Sequence, residues 1–398
     1  MTTEAIQTTL NNNPYPGLIK YMGSKSKIMD FVIDGINEVH QGGAVLDLFS
    51  GSASLAGALG QQCPVHSNDI QNYSRILADT YNTAYCTKRT PSALKIIQEA
   101  RNIVSTNNLN LDITYLKDMS IDDFVKLEER QRKLIDNNFD YEWHLFAKNY
   151  SGTWWNYEQC LWIDAIRQLA EKYNDEPFYP IILSSLMFAM AYASQGTGHY
   201  AQYRDAKTKS SLKDISIYRN RSLPDYFIRK YNELIEYTPK HPSLLKHTST
   251  ALDYKDCLNQ FEGGTVYADP PYCSVHYSRF YHAIETLVLY DFPKLQIQRG
   301  NLVKGRYREE RHQSPFCIKT QVPDAFKSLF KGVKKTGSNL VLSYSNTGMI
   351  SIDEIGEIAQ SYFANNRIEV LTIDHQHMTL GRRKDRHRDV KECLLLIY

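Results

Sequence analysis

The residue types best suited to chemistry lie together in the short segment Asp269-Pro270-Pro271-Tyr272. An exocyclic amine on a nucleobase is a poor nucleophile, because its lone pair is delocalised into the ring. The Asp269 carboxylate and the Pro270 carbonyl can both accept hydrogen bonds from such an amine and stabilise the charge that develops on nitrogen. The Tyr272 ring offers a face on which a base can stack. The segment is therefore a candidate site for chemistry on a base amine, and a proline turn between two elements is the plainer alternative.

The residues before this segment predict where it lies in the fold. Thr265–Ala268 follows the turn signal Gly263-Gly264 and is predicted as a short buried strand. Two prolines have no N–H to continue a strand ladder, so the strand must end there. Open α/β sheets bind their ligands at the carboxyl ends of strands, where this loop would lie.

An earlier part of the chain predicts a ligand-binding unit of the same kind of sheet. Residues 44–49 form a predicted buried strand, Gly51 opens a tight turn, and Ser54–Leu59 is predicted as a helix of small residues. A strand, a glycine turn and a helix present backbone N–H groups and a helix N-terminus to a ligand. The dinucleotide fingerprint G-x-G-x-x-G is missing, so the ligand is not predicted to be a dinucleotide.

The next strand, residues 65–67, ends in Asn68-Asp69, and Asp69 follows Gly51 by 18 residues. An acid about 20 residues beyond the glycine turn suits the hydroxyl groups of a ribose. The alternative is a solvated aspartate at a strand end.

The catalytic segment resembles the signature of amino-directed nucleic-acid methyltransferases. The chain is similar to the Dam-like (alpha-group) N6-adenine-specific DNA methyltransferases, in which the cofactor motif precedes the catalytic one. The resemblance covers about residues 15–85 and 245–398. It implies a doubly wound, Rossmann-like α/β sheet that uses S-adenosylmethionine, with an inserted, mainly helical target-recognition domain. The expected division is a polar tail at 1–14, a catalytic domain at 15–89 and 245–398, and the insert at 90–244.

The resemblance also implies the cofactor site. Asp47-Leu-Phe-Ser-Gly51 resembles the D-x-F-x-G motif for S-adenosylmethionine. Tyr21 and Lys25 occupy a Tyr-x-Gly-x-Lys motif and are expected at the methionine end, and Asp253 at the adenine amine. The expected cofactor residues are Tyr21, Lys25, Asp47, Phe49, Ser50, Gly51, Asn68, Asp69, Asp253 and Asp269. The expected catalytic residues are Asp269, Pro270, Pro271 and Tyr272.

Aromatic residues interleaved with cations predict contacts to double-stranded DNA. Cations meet phosphates, whereas Gln, Asn or Arg side chains can read base edges. Residues 198–207 resemble the DNA-reading hairpin of the family, and 276–282 the segment near the flipped base. The expected DNA-binding residues are Tyr200, Gln202, Tyr203, Arg204, Lys207, Lys209, Arg279, Tyr281, His282 and Asn346.

Two further basic segments have an open interpretation. One, within residues 300–320, contains Lys304, Arg306, Arg308 and Arg311 and is either a clamp on the DNA backbone or an ordinary exposed loop. The other, residues 381–388, is a predicted hairpin tip between two apolar strands at 369–373 and 394–398.

Composition limits the other possibilities. The net charge is only +2, so contacts with nucleic acid must come from local clusters of cations. Seven scattered cysteines without a C-x-x-C pair favour a reducing cytoplasm and disfavour disulfides or a zinc site. The first residues lack the apolar core of a signal peptide, and the apolar run 181–193 is too short for a membrane span. No metal and no membrane partner are expected.

The expected function is methyl transfer from S-adenosylmethionine to N6 of a flipped adenine in DNA. Cytosine-N4 or RNA methylation uses the same amine chemistry and is the alternative within enzymes. A catalytically silent nucleic-acid-binding subunit is the alternative outside them. The resemblance leaves open whether the chain acts alone, in phage or host DNA modification, or beside a separately encoded restriction endonuclease.

Overall fold

The computed structural model describes residues 9–82, 89–116, 118–196, 198–238, 245–274, 276–378 and 387–398, with only the backbone of 375–378 and 387–390. The strands are β1 (Val45–Asp47), β2 (Val65–Asn68), β3 (Thr248–Thr250), β4 (Thr265–Ala268), β5 (Ile297–Gln298), β6 (Asn301–Leu302), β7 (Asn339–Ser345), β8 (Ile368–Met378) and β9 (His387–Ile397).

Seven of these strands form one central sheet in the order β3-β2-β1-β4-β7-β9-β8. The first five are parallel to one another, and β9 pairs antiparallel with both β7 and β8. Strand β4 has the predicted bounds, and the predicted antiparallel pair at the sheet edge is present. The mixed α/β architecture with a mostly parallel sheet is therefore confirmed.

The helices are α1 (Met29–Val39), α2 (Ser54–Leu59), α3 (Asn72–Asn82), α4 (Ala93–Asn107), α5 (Ile121–Arg132), α6 (Leu145–Tyr150), α7 (Tyr157–Glu171), α8 (Tyr179–Ala193), α9 (Lys209–Arg219), α10 (Leu223–Tyr237), α11 (Tyr254–Gln260), α12 (Tyr277–Phe280), α13 (His282–Leu289), α14 (Val322–Thr336) and α15 (Ile352–Tyr362). Single 3-10 turns occur at Lys25–Ile28, Lys133–Asp136 and Pro315–Cys317.

The sheet is covered on both faces, which explains the continuous apolar runs in its strands. Neighbouring residues of a strand point to opposite faces. Val45 accordingly packs with α1, α2 and α3, whereas Leu46 packs with α11, α14 and α15. In β4, Tyr267 belongs to the first core and Val266 to the second.

Residues 90–244 are mainly helical, as predicted, but they do not have a wholly separate core. Helix α8 is almost entirely buried, and its side chains share one hydrophobic core with α1 and α3. The division into a catalytic domain and an inserted recognition domain therefore stays a prediction. Across the described residues, no helix is both long and apolar enough to cross a membrane.

The pairing register aligns the strand ends that carry the candidate motifs. Asp47, the last residue of β1, pairs with Ser67 of β2 and with Tyr267 of β4. The loops that begin at Leu48, Asp69 and Asp269 therefore leave the sheet side by side at one edge. This is the carboxyl edge of the parallel strands, where open α/β sheets bind ligands.

Candidate active site

One cleft opens at this edge of the sheet, between the two predicted motifs. Its walls come from residues 21–25, 47–55, 68–73, 252–254, 269–272, 276–278 and 312–317. All ten predicted cofactor residues and all four predicted catalytic residues line it. Segments far apart in the sequence are thus brought to one cavity.

The glycine turn at the start of the cleft is held by an acid. Gly51 has a φ of +49°, and its N–H donates to Asp69 Oδ2 at 3.0 Å. Asp69 Oδ1 accepts a second hydrogen bond, from the Gln71 N–H at 2.9 Å. Burial raises the pKa of Asp69 to about 6. A Cβ at Gly51 would lie 2.8 Å from Tyr21 Oη, so this position requires glycine.

Two of the predicted cofactor residues brace this turn through their polar atoms. The Ser50 hydroxyl donates to the Asn68 carbonyl at 3.0 Å, and the Asn68 amide donates to the carbonyls of Leu48 and Leu252. Asn68 is only 1% exposed. These side chains therefore fix the loop rather than offer free polar atoms to a ligand.

An acid and two aromatic rings stand at the inner end of the cleft. Burial, together with the charges of Asp269 and Asp69, raises the pKa of Asp47 well above its usual value. The Phe49 ring lies against that of Tyr254, with 5.8 Å between centroids. Asp253 is the N-cap of α11, where its Oδ1 accepts from the Lys255 N–H at 2.9 Å. Its expected contact with an adenine amine stays a prediction.

The catalytic segment is tied to a buried lysine that two acids share. Lys25 Nζ lies 3.3 Å from Asp269 Oδ1 and donates to Glu392 Oε2 at 3.0 Å. The exposed fractions are 6% for Lys25, 17% for Asp269 and 1% for Glu392. Burial raises the pKa of Asp269 to about 6, and the charge of Lys25 opposes that rise.

Tyr272 completes this group. Its hydroxyl donates to Glu392 Oε1 at 3.4 Å, a long hydrogen bond, and Lys25 Nζ lies 5.1 Å from the centre of its ring. The ring lies edge-on to Tyr344, at 5.9 Å between centroids. The ring is thus held from two sides while it lines the cleft.

Glu392 is a residue that the sequence analysis missed. It lies in β9, just before the apolar run at 393–397 and outside the predicted strand at 394–398. A single acid inside a buried strand needs a partner, because an uncompensated buried charge is costly. The sequence therefore indicates that Glu392 needs a partner, but it does not indicate which residue the partner is.

A stack of tyrosines forms the wall next to Tyr21. The Tyr21 ring stacks on Tyr281 at 4.7 Å and lies 5.9 Å from Tyr277. Tyr73 and Tyr277 also line the cleft. Tyr277 lies in the segment 276–282 that resembles the one near the flipped base, although it was not named as a site residue. Tyr73 was not predicted, and nothing in its local sequence distinguishes it among the 28 tyrosines of the chain.

Three predicted DNA contacts are corrected by burial. Tyr200, Tyr281 and His282 are 2%, 1% and 0% exposed, so they cannot touch DNA in this conformation. The Tyr281 hydroxyl instead accepts from the Met22 N–H at 2.7 Å. Burial lowers the pKa of His282 to about 3, so its ring is neutral at ordinary pH. The prediction treated these three aromatic residues as exposed, whereas their apolar surface is buried in the core.

The other predicted DNA residues reach the surface. Gln202, Lys207, Lys209, Arg279 and Asn346 are exposed, and Tyr203 and Arg204 are partly exposed. Arg204 is paired with Asp214 at 2.8 Å, which offsets its charge.

The described part of residues 198–207 contains no strand, so the predicted hairpin there is wrong. The two-stranded antiparallel pair outside the central sheet is β5–β6. The basic tip at 381–386, with the side chains of 387 and 388, lies outside the described residues.

The sheet and the motifs at its carboxyl edge are those expected of a methyltransferase, and a comparison with protein families identifies the branch. The model of the D12 class N6 adenine-specific DNA methyltransferases matches residues 21–373. The chain belongs to this family, which confirms the resemblance found in the sequence.

Several curated relatives are modification enzymes. The chain is 23% identical over 386 residues to Modification methylase LlaI of Lactococcus lactis subsp. lactis, covering 96% of this chain and 54% of the relative. It is 22% identical over 396 residues to Modification methylase StsI of Streptococcus sanguinis (95% and 52%). It is 25% identical over 362 residues to Type II methyltransferase M.FokI of Planomicrobium okeanokoites (86% and 47%). The chain thus spans about half the length of these relatives.

Proposed function

We propose that this protein transfers a methyl group from S-adenosylmethionine to the N6 amine of adenine in double-stranded DNA. The observation that carries the proposal is the shared cleft, in which the glycine turn with Asp69 faces the Asp269–Tyr272 loop. Family membership supports the same reaction.

The residues on the cofactor side fit an adenosyl ligand. The turn at Gly51 leaves a space that a side chain would fill, and Asp69 presents a carboxylate beside it. The rings of Phe49 and Tyr254 provide an apolar wall for a base. When bound, S-adenosylmethionine supplies an electrophilic methyl group on its positively charged sulfur. Tyr21 and Lys25 would lie at the methionine end.

The catalytic loop would hold the target amine. Asp269 and the Pro270 carbonyl would accept hydrogen bonds from the two N–H groups of the amine. The lone pair of the amine would then point away from these acceptors and toward the methyl donor. Holding the amine in this geometry supplies several kcal/mol of the barrier, of the order seen for oriented reactions. The Asp269 carboxylate accepts best when ionised, and Lys25 stabilises that charge. The amine proton becomes acidic only as the new N–C bond forms, so Asp269 need not begin as a strong base.

The adenine must leave the duplex before it can reach this loop. Flipping a base costs a few kcal/mol, and stacking on an aromatic ring returns roughly 1–3 kcal/mol. We assign this stacking role to Tyr272, and its position in the wall of the cleft, beside Asp269, supports the assignment.

Two matched duplexes test the mechanism: one with adenine at the target position for single-turnover methylation, and one with 2-aminopurine there for the fluorescence of base flipping. Asp269→Ala is expected to abolish turnover, while fluorescence still reports base flipping and the fold stays intact. Mass spectrometry of the digested product separates the alternatives. Full activity of Asp269→Ala, or methyl on cytosine N4 or on RNA only, would contradict the proposal. Binding of DNA without any methyl transfer by the unaltered chain would favour a silent binding subunit.

We further propose a role in a restriction-modification system, because relatives are named modification methylases. In that case a separately encoded endonuclease would share the target sequence. Methylation-sensitive sequencing of host DNA from cells that express the chain would reveal one methylated sequence motif. Scattered methylation without a common motif would contradict a modification role.

A further inference from the structure

Arg306 is a buried cation whose Nε has no hydrogen-bond partner among the residues that the structure describes. It is 6% exposed. Its neighbours on the chain are neutralised, since Lys304 pairs with Asp205 at 2.9 Å and Arg308 with Asp291 at 2.6 Å. Arg306 itself forms no ion pair with any described residue.

Another arginine of the same chain shows what full compensation involves. Arg219 is 1% exposed and donates to both carboxylate oxygens of Glu128, at 2.9 Å and 2.8 Å. Glu128 raises the pKa of Arg219, against the effect of burial. Burial instead lowers the pKa of Arg306, to about 10. The fold therefore compensates the charge of the buried Arg219 guanidinium with Glu128. Among the described residues, it provides no such carboxylate for Arg306.

A second cation, Arg132, contacts the turn at residues 152–154, and Trp154 of this turn also binds the Gly305 carbonyl next to Arg306. The charge of Arg132 adds to the effect of burial on Arg306, and Asp136 opposes it more weakly. Arg132 donates from Nη1 to the Gly152 carbonyl at 2.8 Å and to Tyr203 Oη at 3.2 Å. It pairs with no acid among the described residues. Two like charges held close together attract an anion.

The segment that carries Arg306 is anchored on the predicted DNA-facing region. The Trp154 Nε1–H donates to the Gly305 carbonyl at 2.9 Å, and the Tyr307 hydroxyl donates to the Ala201 carbonyl at 2.6 Å. The Arg306 N–H donates to the Val303 carbonyl at 2.9 Å. The backbone around Arg306 is thus held beside the loop that continues to the exposed Lys207.

We propose that Arg306 and Arg132 form a binding site for one backbone phosphate of the bound DNA. The planar guanidinium fork matches a phosphate group, and a phosphate would supply the missing counter-charge. Because only a small part of Arg306 is exposed, it can contact a single anionic group but not a broad anionic surface. This inference rests on the proposed function, because the DNA substrate supplies the phosphate.

Salt dependence of DNA binding tests the site in the full-length chain. Arg306→Met removes the charge and keeps most of the apolar stem. The slope of log K against log salt is expected to fall by about 0.9 for one lost phosphate contact. Sequence preference is expected to persist, because phosphate contacts position the protein without reading bases. The matched control is Arg308→Met with Asp291→Asn, which removes a neutral pair from the same segment and should leave the slope unchanged.

Thermal unfolding of the free protein provides an independent measurement. Inorganic phosphate is expected to raise the Tm of the unaltered chain above that in chloride at equal ionic strength. Arg306→Met should lose this increase, and its Tm in chloride should be higher because a buried unpaired charge is gone.

If the unaltered chain binds DNA and Arg306→Met shows the same salt slope, this inference is overturned while the proposed function stands. If Arg306→Met loses the increase of Tm in phosphate but keeps the salt slope of DNA binding, the site binds free anions only. That result would also overturn this inference. An unaltered chain that binds no DNA would refute the proposed function and, with it, this source of the phosphate.

Discussion

Lys25 Nζ lies 3.3 Å from Asp269 Oδ1, although Lys25 precedes the first strand of the sheet and Asp269 follows the fourth in chain order. The same Nζ donates to Glu392 in the last strand. One positive and two negative groups therefore share a buried space at the catalytic loop. Other titratable groups that act on Asp269 or respond to it are Asp47, Tyr267, Tyr272 and Tyr277.

The first prediction concerns the removal of Lys25. The pKa of Asp269, raised by burial to about 6, places the acid limb of the rate near that pH. Lys25→Met removes the charge that opposes this rise, so the limb is expected to move to higher pH. Single-turnover rates between about pH 5 and about pH 9 measure the shift. Lys27→Met, at an exposed neighbouring position, is the control.

Glu392→Gln is expected to shift the same limb in the opposite direction. The substitution removes a negative charge that raises the pKa of Asp269. The Gln carbonyl can still accept from Lys25 Nζ, so the lysine keeps its place. A merely structural role for Glu392 predicts a lower rate with an unmoved limb, and that result would contradict an electrostatic role.

Asp69→Ala is expected to weaken S-adenosylmethionine binding by about 1–3 kcal/mol, the cost of losing a charged hydrogen bond. Asp69 also holds the Gly51 and Gln71 N–H groups, so Asp69→Asn should have a smaller effect. Calorimetric titration measures the affinity, with the exposed Asp256→Ala as control. Unchanged affinity in folded Asp69→Ala would remove Asp69 from the cofactor site.

Tyr272 should act through its ring more than its hydroxyl. The hydrogen bond from its hydroxyl to Glu392 is long, at 3.4 Å, so Tyr272→Phe is expected to keep much of the activity. Tyr272→Ala should lose most of it, because stacking on the flipped base is worth roughly 1–3 kcal/mol. Equal activities of the two variants in single-turnover assays would show that the ring is not the stacking surface.

The exposed lysines at the end of the 198–207 segment and in α9 should contribute to DNA affinity without sequence preference. Lys207, Lys209 and Lys213 are exposed and form no ion pair among the described contacts. Replacing all three by Gln is expected to reduce the salt slope by up to about 0.9 per contact. Lys331, Lys334 and Lys335, which are exposed on α14 and form no ion pair among the described contacts, provide a matched set for comparison. An unchanged slope would mean that the three lysines are ordinary solvated surface.

The sequence by itself determined the strands that carry the motifs and the order in which they occur. Asp47 to Gly51 and Asp269 to Tyr272 were predictable because a buried strand followed by a glycine or proline turn is a local pattern. The apolar hairpin strands at the end of the chain were predictable for the same reason, although the structure extends them to Ile368–Met378 and His387–Ile397.

Only the tertiary structure decided which charges meet and which rings are buried. Glu392 reaches Lys25 because β9 lies beside β7 in the sheet, and strand order depends on packing between distant segments. Tyr200 and His282 are buried because other elements cover them, which no local pattern reveals. Arg306 and Arg219 are the same residue type in basic stretches. Among the described residues, Arg219 pairs with Glu128 across the fold, whereas Arg306 pairs with no acid.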